Sequence, residues 1–72
     1  MVNINKLKGK IVERGMTIKD VADRMGVNKS TVYRKISDDG RTLTVKDANM
    51  LFEILELTTE EATAIFFSQH VA

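Results

Sequence analysis

Between Val21 and Ile36 the chain has room for two short helices and almost nothing to join them, and no other feature limits its possible folds as much. Ile18, Val21, Ala22 and Met25 recur on one helical face, with Lys19, Asp20, Asp23 and Arg24 on the others. Gly26 and Val27 break that pattern, Asn28 stands where a cap belongs, and Val32 and Ile36 mark the inner side of a further helix ending near Ser37. Helices joined by about three residues must cross steeply. Ala22 is small enough for the crossing, and Gly26 tolerates the left-handed backbone that turns the chain. Val21, Met25, Val27, Val32 and Ile36 are expected to bury the inner sides of both helices. Lys29, Ser30, Tyr33, Arg34 and Ser37 are left as a contiguous outer stripe.

The rest of the chain reads as support for this pair. A first helix fits Ile4 to about Arg14 behind a capping Asn3 or Asn5, with Ile4, Leu7, Ile11 and Val12 at helical spacing. Thr17 with Asp20, Thr44 with Asp47 and Thr58 with Glu61 have the spacing of capping boxes opening the second, fourth and fifth helices. The fourth carries a broad apolar stripe of Val45, Ala48, Leu51, Phe52 and Leu55, expected to be core, and the fifth is expected to run to about Gln69. With 72 residues, no proline and no cysteine, the expectation is one domain, 1–72, all-α with five helices, held by its core without disulfides.

The net charge of +1 hides a division along the chain. All eleven Lys and Arg residues lie at or before Lys46, against five acids there, whereas residues 47–72 carry five acids and no base. Such asymmetry fits a basic working face beside an acidic support, although solvated surface charge alone gives the same pattern. The outer stripe of the third helix offers hydrogen-bond donors of the kind that match base edges and phosphates in a DNA groove.

The stretch VADRMGVNKSTVYRKI, residues 21–36, resembles the helix-turn-helix of the lambda repressor, Cro and xenobiotic-response-element regulator family, and the five-helix plan extends the likeness over nearly the whole chain. The segment LTTEEATAIFFSQHVA also resembles small regulators carried by phages and prophages of Gram-positive bacteria. The resemblance implies a compact five-helix, lambda-repressor-like domain whose third helix enters the major groove of a double-stranded DNA operator, bound as a homodimer, to repress or modulate transcription. Carried over residue by residue, it implies base reading by Asn28, Lys29, Ser30, Tyr33 and Arg34, and phosphate contacts by Thr17, Lys19, Lys35 and Arg41. Two positions depart from the family pattern. Ile18 stands where a phosphate-binding glutamine is common, with Lys19 as substitute, and Lys35 stands where an apolar residue is common, so its ammonium is expected to reach outward past Ile36.

Several positions keep a second reading. Arg34 is placed to pair with Asp38 four residues on, Lys29 to be a plain solvated charge, and Tyr33 to pack against neighbours. Arg41 and Gly40 belong either to a phosphate-binding loop or to a simple turn. His70 has no spaced His, Cys or carboxylate partner and is expected to be solvated, so no metal or cofactor is implied. There is no thiol, no second histidine and no phosphate-cradling glycine loop for catalysis, and no effector site is evident. With neither an apolar leader nor a long apolar run, the expected setting is the cytoplasm, away from membranes, and the resemblance implies a bacterial one. The rival to DNA reading is a protein-interaction module, suggested by Phe66, Phe67 and Val71, which exceed what one short helix needs to bury; a core or homodimer seam is the other use for them.

Overall fold

The computed structural model describes residues 2–67; His70, Val71 and the expected end of the fifth helix near Gln69 lie outside them. The described residues form α1 (Ile4–Glu13), α2 (Ile18–Met25), α3 (Lys29–Ser37), α4 (Val45–Ile54) and α5 (Thr59–Phe66), with no strand among them. This is the all-α, five-helix architecture expected from the spacing.

Four of the five helices start at a side chain that caps them. Asn3 accepts from the Lys6 N–H, and Thr17, Thr44 and Thr58 form complete capping boxes with Asp20, Asp47 and Glu61. One contiguous core collects Leu7 and Ile11 from α1, Val21 and Ala22 from α2, Val32 and Ile36 from α3, Leu51 from α4, Leu55 and Leu57 from the following turn, and Ile65 and Phe66 from α5. Leu7 and Leu55 are wholly shielded from solvent. At about 25 cal/mol per Å² of apolar area removed from water, this core is the main favourable term in folding.

Polar cross-links join the basic half to the acidic half. The Lys10 ammonium meets both Glu13 and Glu61. Arg14, the residue after α1, donates from Nε to the Leu55 carbonyl at 2.8 Å and from Nη2 to the Glu56 carbonyl at 3.1 Å, closing the C-terminal end of α4. The Asn3 N–H donates to the Ile65 carbonyl at 2.7 Å, which fastens the N-terminus to α5. Val2 then lies over the turn between α3 and α4, where Gly40 has φ +74° and a Cβ would approach the Val2 side chain to 2.7 Å.

Four side chains expected in the core are not there. Val12 is 74% exposed, Val27 39% and Val45 80%, and Phe52 is at the surface as well. Val12 and Phe52 each sit next to a residue that does face inward, Ile11 and Leu51, and a short helix can turn only so wide a face toward its neighbours. Val27 lies in the α2–α3 join and Val45 at the first position of α4, where the core has not yet begun.

Candidate nucleic-acid interface

The α2–α3 join has the geometry its sequence demands. Gly26 adopts φ +74°, ψ 28°, and the Val27 N–H donates to the Ala22 carbonyl at 3.0 Å, ending α2 and releasing the chain into α3. Ala22, buried on α2, Val32 and Ile36, buried on α3, lock the pair from beneath, and α2 and α3 pack on one another more extensively than any other two helices. Because Val32 and Ile36 face inward, the opposite face of α3 must face out.

Lys29, Ser30, Tyr33, Arg34 and Ser37 are all exposed, as is Asn28 before them. No carboxylate among the described residues lies within salt-bridge distance of Lys29 or Arg34, so the alternative pairing of Arg34 with Asp38 does not occur. The first turn of α3 carries no acid, and its N-terminal N–H groups meet no local negative charge. An anion approaching that end is favoured by both the basic side chains and the helix dipole.

Asn28 has the extended backbone of an N-cap, yet its side chain makes no cap hydrogen bond. The N-cap side chains of the other four helices all close on their own backbone. Its amide group, with two donors and an acceptor, therefore stays open to an outside partner. A helix start that leaves its strongest local bond unmade is the kind of local departure found at functional sites.

Thr17 is exposed, and its Oγ1 accepts from the Asp20 N–H at 3.1 Å. The Thr17 backbone N–H in turn holds the Asp20 carboxyl below its usual range, aided by the hydroxyl. Lys19 pairs with Asp23 at 3.1 Å, an exposed contact one turn along α2. Such pairs contribute only about 0.3–0.5 kcal/mol and yield easily to a phosphate. Arg41 is exposed in the turn after α3, where its N–H donates to the Asp38 carbonyl at 3.0 Å.

Lys35 departs from the sequence expectation. Its ammonium is turned back to Asp47 Oδ2 at 2.6 Å, and its side chain is only 22% exposed, so it does not reach outward. Burial pushes the Asp47 carboxyl up, but the hydrogen bonds from Lys35 and from the Thr44 N–H and hydroxyl outweigh it and hold Asp47 below its usual range. The ammonium satisfies a shielded carboxylate on α4 and thereby ties α3 to the acidic half. The stem's apolar carbons fill the space an apolar residue would take.

The residue that sequence reasoning missed is Lys8. It lines a groove of about 440 Å³ together with Val12, Thr17, Ile18, Tyr33 and Ser37, which brings α1 to the edge of the exposed face of α3. The exposed apolar Val12 belongs to the same groove, and Tyr33, 53% exposed, shares it with Val12 while leaving half its surface to solvent. Lys8 is exposed and has no carboxylate partner among the described residues. Nothing in its local sequence separates it from Lys6 or Lys10; only the packing of α1 beside α3 does.

Residues 6–39 match the family model described as the helix-turn-helix domain of resolvase. That range runs from α1 to just past α3. What the match shares with the lambda repressor and Cro resemblance is the helix-turn-helix itself, and the chain carries a helix-turn-helix DNA-binding domain. The comparisons with curated proteins and with solved structures returned no match. No helix among the described residues is long and apolar enough to cross a membrane.

Proposed function

We propose, from the premise of a helix-turn-helix DNA-binding domain, that this chain is a sequence-specific regulator of transcription of the repressor and Cro kind, a binding module without catalysis. Its α3 enters the major groove of a two-fold operator, one copy of the chain on each half-site. Asn28, Lys29, Ser30, Tyr33 and Arg34 face base edges, with Arg34 suited to bidentate contact with a guanine. Thr17, Lys19 and Arg41 hold phosphates, joined by Lys8 from α1, whereas Lys35 is committed to Asp47.

The observation that supports this reading most directly is the open face of α3. Two unpaired cations and an uncapping Asn28 stand together on a helix anchored from below by Val32 and Ile36. A single domain of this size reaches few phosphates, so its non-specific affinity is weak and a second copy supplies much of the working affinity. Repression or modulation of transcription by occlusion then follows from placement on the operator.

Selection of bound duplexes from a random pool, followed by a salt titration of the winner, tests the proposal. The expected result is a motif of two inverted half-sites about one helical turn apart and an affinity that falls steeply with salt. Recovery of no motif, with no salt-dependent binding at micromolar protein, would overturn it.

A further inference from the structure

A second surface has the marks of a binding site with the opposite electrostatics. Between α4 and α5 runs a groove of about 240 Å³ walled by Val45, Ala48, Phe52, Ala62, Phe66 and Phe67. Phe67 is 72% exposed and Val45 80%, and Phe52 beside them is 37% exposed. Large apolar side chains gathered on one face, rather than scattered, mark contact surfaces. No residue of α3 contributes to this groove.

The charges around it are selective. Of the five acids in residues 47–72, Asp47 and Glu61 are neutralised within the fold by Lys35 and Lys10. The other three are Glu53 next to Phe52, Glu56 in the turn joining the two helices, and Glu60 next to Thr59 of the groove. All three are exposed, and none has a cationic partner among the described residues. Lys46 is the one base on the two helices. Net negative charge on the two helices that wall an apolar trough disfavours a two-fold pairing of this face with itself, which would bring like charges together.

We infer that the α4–α5 groove docks a basic amphipathic helix of another protein. Apolar side chains of the incoming helix, one turn apart, lie along the trough over Phe52 and Phe67, and its flanking Lys or Arg side chains meet Glu53, Glu56 and Glu60. The inference does not depend on the DNA reading, because the groove and α3 share no residue. A regulator built this way would hold a protein partner and a duplex on separate faces.

The test uses the full chain and a fluorescently labelled synthetic helix with leucine on one face and lysine on both flanks, beside a control with glutamate replacing every lysine. The expected result is micromolar binding of the lysine helix, and at least about tenfold weaker binding of the control. The double variant Glu53→Gln/Glu60→Gln, and separately Phe67→Ala, should each weaken the lysine helix by about tenfold while the urea midpoint stays in place. If Phe67→Ala unfolds the chain, the glutamine variant alone carries the test. Equal binding of both helices, binding of neither, or sedimentation showing a self-association of the chain that Phe67→Ala abolishes would each overturn the inference, the last by making a second copy the occupant. Loss of DNA binding in the selection experiment would leave this outcome untouched.

Discussion

Helices α3 and α4 follow one another along the chain, and the structure treats them in opposite ways. α4 begins with a cap closed from both sides: Thr44 Oγ1 accepts from the Asp47 N–H and Asp47 Oδ2 accepts from the Thr44 N–H, each at 3.0 Å. Asp47 is buried and also takes the Lys35 ammonium. α3 begins with Asn28, whose side chain closes nothing, and it carries Lys29 and Arg34 outward without a partner. The start of α4 commits its polar groups to the fold, whereas the start of α3 leaves them open. Local satisfaction is thus withheld at the start of the helix whose outer face is open.

The comparison breaks first at the scaffold. Leu55, just past α4 and fully buried, should cost about 2–5 kcal/mol on truncation to Ala, read from urea unfolding, because a cavity is left as well as transfer energy lost. A loss below about 1 kcal/mol would mean that α4 is not the support described. Gly40→Ala comes next, at about 1–3 kcal/mol, since the new Cβ meets Val2 at 2.7 Å and φ is +74°. An unchanged thermal midpoint there would show that Val2 moves aside freely.

On the other side of the comparison, Arg34→Ala should leave unfolding unchanged and cost about 1–3 kcal/mol of binding to the selected duplex, with preference relaxed at one base position. Equal losses on selected and random duplexes would remove Arg34 from the base-reading set. The two N-caps give the sharpest contrast. Thr44→Ala should lower stability by about 1 kcal/mol, whereas Asn28→Ala should change it by less than about 0.5 kcal/mol and show its effect in DNA affinity instead. Similar stability losses from both would erase the distinction between an open cap and a closed one.

The smallest effect expected is on the pH dependence of stability. The Lys10 ammonium, with the Thr58 N–H, brings the Glu61 carboxyl down to about 2 from its ordinary 4.5. A depressed folded value means that the contribution is whole above pH 4.5 and drains away as pH falls toward about 2. Glu61→Gln should therefore flatten part of the acid limb of a stability profile; the remainder belongs to Asp20 and Asp47, which are also lowered. Lys10 is raised above 10.5, chiefly by Glu13 and then Glu61, so its contribution holds below pH 10.5 and fades only above its folded value. A parallel acid limb in the variant would show that the Lys10 pair is too solvated to matter.

Much of this molecule was legible in its residues. The α2 boundaries, the capping boxes at Thr17, Thr44 and Thr58, the left-handed Gly26 and the outward set on α3 all follow from spacing and side-chain chemistry within one or two turns. The misses share a cause. Lys35, Lys8, Val12, Val45 and Arg14 were misjudged or overlooked because their roles depend on which other helix lies opposite. Hydrophobicity gave Val45 to the core, but at the first position of α4 it has no facing neighbour and opens the α4–α5 groove instead. Lys35 faced outward only on a wheel that did not include Asp47.

The amino-acid order on its own determined the number of helices, their caps, the sharp join at Gly26 and the separation of basic from acidic residues, since each depends on interactions between residues a few positions apart. Tertiary packing decided which charges are spent internally and which stay free. Asp47 and Glu61 are neutralised across the fold while Glu53, Glu56 and Glu60 are not, and Lys8 rather than Lys10 reaches the face of α3. The reason is geometric: a charge is quenched by whatever lies within a few ångströms of it, and residues 12, 51 or 41 positions apart, as in Lys35–Asp47, Lys10–Glu61 and Arg14–Leu55, become neighbours only once the helices have packed.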